Sequence, residues 1–143
     1  MSAGYSGTPL PRKLGVKEGM RVALVDAPAG AEELLAGLPP GAAVDRGGPA
    51  GADVIVLFTA ERARLAAALE PLGAAIFPDR ALWIAWPKKA AKVPTDVTED
   101  VVRELALPRG LVDVKVCAID ATWSGLRLVW RTELRAAPGP PPA

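Results

Sequence analysis

Three almost uninterrupted apolar runs constrain this chain more than any other feature: 21–25 (RVALV), 53–58 (DVIVLF) and 81–86 (ALWIAW). A strand with one wet face alternates apolar and polar residues, whereas unbroken runs rich in branched side chains fit strands buried on both faces of a parallel sheet. Helical patterns lie between them. In 31–38, Leu34, Leu35 and Leu38 share a stripe before Pro39, Pro40 and Gly41 end it. Thr59 stands where it can cap a helix carrying Leu65, Leu69 and Leu72, and Asp96 with Glu99 has capping-box spacing ahead of Val101, Val102 and Leu105. Two later runs, 111–119 and 126–131, alternate more and flank the turn 120–125, which predicts an antiparallel hairpin. Together these patterns predict an α/β three-layer sandwich with a mostly parallel sheet and a C-terminal hairpin. The region near Ala42–Val44 is ambiguous. Only 46–52 separates it from the next run, fewer than the dozen or so residues of an ordinary parallel crossover, so a strand there is predicted to be short, marginal or antiparallel.

A chain of 143 residues, half of them hydrophobic, suits one domain, read here as 20–135. Residues 1–19 read as an irregular arm, and the Pro-rich 136–143 as a disordered tail. Lys plus Arg number 17 against 16 Asp plus Glu, so no bulk field draws nucleic acid or an anionic membrane, and neither is expected as a partner. No apolar window is long enough to cross a bilayer and the amino terminus has no export layout, so the expected location is cytoplasmic. With no histidine and one cysteine, the commonest general base, the usual zinc sets and any internal disulfide are excluded. Cys117 lies in an apolar run and reads as a small buried hydrophobe.

In an open α/β sheet, ligands gather where loops leave the carboxyl ends of parallel strands. That edge is predicted to collect Asp26, Thr59, Trp86, Lys88, Lys89, Asp120, Trp123 and Ser124, with Arg127 just inside the hairpin. Tryptophans can stack on a planar ligand while lysines neutralise its phosphate, so the candidate ligand is small and anionic. If the arm folds over the crevice, Tyr5, Ser6 and Thr8 form a lid hinged at Gly4 and Gly7. Simpler roles compete at each position. Tryptophans usually fill core, lysine runs are usually solvated, and acids such as Asp26 and Asp120 usually shape turns and caps. The same two acids are also candidates for a carboxylate pair or a divalent-ion site. A Ser124 or Thr8 nucleophile would lack a histidine to take its proton, so no catalytic residue and no metal ligand is assigned.

The stretch Leu14-Gly15-Val16-Lys17-Glu18-Gly19-Met20-Arg21-Val22 resembles the lead into the first strand of class I methyltransferase domains, whose last two strands form a hairpin. The resemblance implies a Rossmann-like fold and, in working enzymes, S-adenosylmethionine held by a glycine-rich loop. Here that loop is Asp26-Ala27-Pro28-Ala29-Gly30, with one glycine and a proline that has no N–H, so the cradle reads as degraded. Asp45 lies about 20 residues beyond the first strand, the offset at which Rossmann-type domains hold a ribose hydroxyl. A closer resemblance, covering most of the chain up to Arg131, is to the small bacterial proteins grouped as DUF3052. It is carried by Gly4-Tyr5-Ser6-Gly7-Thr8-Pro9-Leu10, Trp86-Pro87-Lys88-Lys89, Pro94-Thr95-Asp96, Gly110-Leu111-Val112, and Asp120 followed by Trp123-Ser124-Gly125-Leu126-Arg127-Leu128-Val129. This resemblance implies no activity and no catalytic residues.

The reading that follows is a non-catalytic, anionic or nucleotide-like small-molecule binding or regulatory module on a degenerate methyltransferase-like fold. One alternative is a divergent methyltransferase using S-adenosylmethionine, with Asp45 and Asp26 as its contacts. Another is a protein-interaction subunit that offers Leu126–Arg131 as an edge strand to a protein partner. The oligomeric state is left open.

Overall fold

The structure, a computed structural model, describes residues 8–141. Its strands are β1 (Arg21–Val25), β2 (Ala43–Asp45), β3 (Val54–Phe58), β4 (Ala81–Pro87), β5 (Leu111–Ala118) and β6 (Trp123–Trp130). They form one six-stranded sheet in the order β2-β1-β3-β4-β6-β5. The first four strands run parallel, while β6 is antiparallel to both β4 and β5. Three α-helices accompany them: α1 (Leu10–Lys13), α2 (Arg62–Ile76) and α3 (Glu99–Ala106). The expected α/β sandwich with a mostly parallel sheet and a terminal hairpin is the observed architecture.

Every residue of β3 and β4 is buried. Alternation along β4 sends Leu82, Ile84 and Trp86 into the core layer under α2 and α3, and Trp83 and Ala85 into the layer on the opposite face. That second layer is thinner. It is closed by α1, by Leu14 and Val16, and by a single 3-10 turn at Ala31–Leu35. The helix expected over 31–38 is therefore only this turn. It starts at Gly30 without a side-chain cap and ends where Ala36 becomes extended, too short a run to repay helix nucleation. The supposedly irregular arm contributes core as well as chain: Leu14 is fully buried, and its carbonyl accepts the Trp83 indole N–H at 3.1 Å.

β2 is a parallel strand. Its ladder pairs Arg21 with Ala43 and Ala23 with Asp45, and Asp53 N–H already bonds the Arg21 carbonyl at 3.0 Å. The chain thus climbs only two residues beyond the level to which it returns, and seven residues cover that distance without a crossover helix. The helix starts also differ from expectation. Thr98, not Asp96, caps α3 by accepting Val101 N–H at 3.2 Å, whereas Asp96 caps α2 by accepting Arg62 N–H at 2.6 Å. Thr59 forms a turn one step before that helix, its hydroxyl accepting Glu61 N–H at 3.2 Å.

β6 begins at Trp123 rather than Leu126, which shortens the hairpin turn. Nor is 126–131 an edge. β6 is paired on both sides, and the sheet ends at β2 and β5, the latter interrupted by a bulge between Asp113 and Lys115 that disfavours pairing with another chain. After β6, Leu134 packs on the core, and the Pro-rich segment expected to be disordered is described as far as Pro141. Pro140 and Pro141 border a cavity beside Leu69 and Trp130.

Gly125 sits inside β6 where an added Cβ would lie 2.9 Å from Ile119 Cδ1 and 3.1 Å from Trp83 Cε3. Gly125→Ala should cost about 1–3 kcal/mol in denaturant unfolding, because the added methyl presses on the fully buried Trp83 ring as well as on Ile119. An unchanged unfolding midpoint would contradict this packing.

Candidate functional site

Parallel pairing brings the ends of β1, β3 and β4 to one edge, and the antiparallel hairpin returns its turn to the same edge. Asp26, Thr59, Lys88 and the Asp120–Thr122 turn therefore follow one another across it. Its two halves differ chemically.

On the β1 and β2 side, the chain's own arginines occupy the loop groups. Asp26 adopts a left-handed φ of 54° and its carboxylate accepts a hydrogen bond from Arg64 Nε at 2.7 Å. Arg46, just past β2, donates from Nη1 to the Ala27 carbonyl and from Nη2 to the Pro28 carbonyl, each at 2.7 Å. The same guanidinium pairs with both oxygens of Glu32 at 2.7 and 3.0 Å. It thereby bridges β2 to the loop after β1. Asp45 is likewise filled: Arg21 donates through Nε at 3.0 Å and Nη2 at 2.9 Å, and Gly47 N–H adds a third bond at 2.9 Å. These partners hold Asp45 and Glu32 down to about 2, chiefly through the arginine hydrogen bonds, and raise Arg21 and Arg46 in return. The acid that spacing marked for a ribose hydroxyl is committed to an internal partner.

On the hairpin side, Lys88 N–H bonds the Thr122 carbonyl at 2.7 Å, which fixes the chain beside the turn before the 3-10 segment Lys89–Ala91. Among the described residues, no hydrogen bond or ion pair holds the side chains of Lys88, Lys89 or Lys92. Trp123 is half-buried and meets Phe58 edge to face, with ring centroids 5.1 Å apart. Ser124 lies on β6 opposite Trp86 and Ala118, and Thr59 is buried with its N–H bonded to the Ala85 carbonyl.

Several expected members play other parts. Trp86 is core beneath the helices. Asp120 Oδ1 is spent on the turn amides of Thr122 and Trp123, at 2.8 and 2.7 Å. Asp26 and Asp120, held by these separate partners, are not a carboxylate pair, and no metal-holding group of three or more acids and cysteines occurs among the described residues. Arg127 is absent from this edge. It pairs with Trp83 in mid-sheet, and its side chain turns toward Gly15 and the amino ends of β3 and β4. Thr8 is exposed, while Tyr5 and Ser6 lie outside the described residues. The basic arm is elsewhere too, with the Lys13 carbonyl accepting Lys115 Nζ over β5. Cys117, expected to be buried, is only partly so, against the thinner core layer, and that burial pushes its thiol up.

Neither a protein-family model nor a curated protein matches this chain. Solved structures do. TrmN from Thermus thermophilus superposes with a TM-score of 0.60 at 14% identity over 85% of this chain and 47% of that one. The Methanococcus jannaschii fibrillarin pre-rRNA processing protein gives 0.52 at 14% identity over 86% and 69%. The fold is Rossmann-like and methyltransferase-like. The chain spans about half the length of TrmN, and at such identity the likeness is one of fold. Within that frame, the missed residues are Arg21, Arg46 and Arg64, which fill the loop groups from neighbouring elements. Only Arg46, directly after Asp45, left a local hint.

Because Asp45 and Glu32 have depressed folded-state values, their stabilisation is complete above their ordinary 3.8 and 4.5 and fades as pH falls through about 2. Asp45→Asn and Glu32→Gln should each lower the melting temperature slightly near pH 7, by an amount that holds down to about 4.5 and shrinks from there toward about pH 2. A deficit of equal size at both pH values would show that the carboxylate charges are not what the arginines hold.

Proposed function

We propose that this chain is a non-catalytic binding or regulatory module that takes a small anionic, nucleotide-like ligand on the hairpin side of its sheet edge. The observation that carries the reading is the contrast between the two halves of that edge. Where a methyltransferase frame would cradle its nucleoside, Arg46 and Arg21 already occupy the carbonyls and the acid. Beside the turn, lysines without internal side-chain partners branch from the segment that follows Pro87, the residue paired with the half-buried Trp123. Lysines act as mobile point charges for phosphate, and an indole face accepts a stacked ring. Ser124 can add a hydroxyl at that side, whereas the Thr59 hydroxyl is buried and engaged with Glu61. The near balance of 17 cations and 16 anions supports a small ligand rather than a nucleic acid. Membership of the DUF3052 family, a bacterial source and a cytoplasmic location belong to the same proposal. No described helix is long and apolar enough to cross a membrane.

A second reading, a divergent methyltransferase, draws support from the shared fold and from the left-handed Asp26 in the loop after β1. It requires Arg46 to leave the Ala27 and Pro28 carbonyls before an adenosyl group can approach.

Thermal melting with adenosine nucleotides, S-adenosylmethionine and S-adenosylhomocysteine separates the two. A nucleotide at a hundredfold excess over Kd should add ~2.7 kcal/mol and raise the melting temperature by several degrees. Lys88→Ala combined with Lys89→Ala should abolish that rise and leave unliganded melting nearly unchanged. A shift confined to S-adenosylmethionine and indifferent to the two lysines would replace this proposal with the transferase reading, and indifference to every compound would reject both.

A further inference from the structure

At the opposite edge of the sheet, where β3 and β4 begin, a cavity of about 350 Å³ opens between Gly15, Asp53, Asp79, Arg80 and Arg127. That size falls within the roughly 300–1,000 Å³ typical of small-molecule sites. Arg127 reaches it from mid-sheet, and its Nε is buried without an acceptor. The backbone at Gly15 lies against the same guanidinium, since a Cβ there would stand 3.9 Å from Cζ and Nη2. No protein acceptor meets this guanidinium, and its Nη groups, which are not buried, are the donors it can offer to the cavity.

The remaining charges narrow the chemistry. Asp53 is engaged, one carboxylate oxygen accepting Arg21 N–H at 2.9 Å and the other standing 4.0 Å from Arg80 Nε. Among the described residues this leaves one cation and one anion on the cavity wall with neither hydrogen bond nor ion pair, Arg127 and the exposed Asp79. They do not pair with each other. A ligand carrying only an anion would satisfy Arg127 and face Asp79 unpaired, and a cation alone would do the reverse. We infer that this cavity binds a small zwitterion of the α-amino-acid class, its carboxylate held by the Arg127 fork and its ammonium by Asp79. The two Nη groups at the end of the guanidinium give arginine a planar edge that a carboxylate accepts through both oxygens. The site is separate from the hairpin edge and independent of what binds there.

Isothermal titration of the full chain with glycine, glutamate and leucine tests the assignment, with acetate, methylammonium and inorganic phosphate as singly functional controls. At least one amino acid should bind more tightly than every control. Arg127→Met and Asp79→Asn should each weaken it about tenfold or more, whereas Lys88→Ala with Lys89→Ala should leave it unchanged. Since Arg127 is part of the sheet, Asp79→Asn at an exposed loop position keeps the test decisive if the arginine variant does not fold. Binding by no amino acid, acetate or phosphate matching the amino acids, or full affinity in Asp79→Asn would overturn the inference.

Discussion

Two-sided burial of β3 and β4 is the constraint on which the molecule depends. Every residue in both strands is buried, so each face of the sheet requires a cover. The two longer helices cover one face. The other is closed by whatever the chain can bring, namely the turn at Ala31–Leu35, the single turn of α1 and the Leu14–Val16 segment tied down by the Trp83 indole. An indole N–H buried without an acceptor would cost about 1–3 kcal/mol, so the Leu14 carbonyl makes the arm part of the fold.

This economy reshapes the functional edge. With only a 3-10 turn after β1, no long helix presents its amino end to a ligand, and the loop carbonyls of Ala27 and Pro28 face Arg46 instead. The ion pairs involved are substantially exposed, and pairs of that kind contribute little to stability. Their effect is occupancy. They consume the Ala27 and Pro28 carbonyls and the Asp45 carboxylate, whereas Lys88, Lys89 and Lys92 have no side-chain partner among the described residues.

What could be read from sequence follows the range of the interactions involved. β1, β3 and β4 were legible because two-sided burial writes itself into consecutive residues. Thr98 displaced Asp96 as a cap because the choice depends on α2, whose Arg62 N–H is 34 residues from Asp96 in the chain. The turn chemistry of Asp120 was legible as one of two readings, and structure selects the ordinary one. Arg127 was misplaced for a definite reason. Assigning Ser124 and Gly125 to the turn put the start of β6 at Leu126, whereas the strand starts at Trp123, which carries Arg127 inward to the level of Trp83. Gly125 caused the error: a glycine between two runs resembles a turn, yet here its missing side chain makes room for Ile119 and Trp83. The arginines that seal β1 and β2 act across separations of 14 to 38 residues, beyond any local pattern.

If a small anion binds on the hairpin side, the loop after β1, already occupied by the chain's own arginines, takes no part in that binding. Backbone amide NMR during titration with an adenosine nucleotide addresses both sides of the edge at once. The account predicts shifts concentrated at Lys88–Lys92 and Thr122–Ser124, with Ala27, Ala29, Gly30 and Gly47 unmoved. Shifts centred on the loop after β1 and on Gly47, with the hairpin silent, would contradict it.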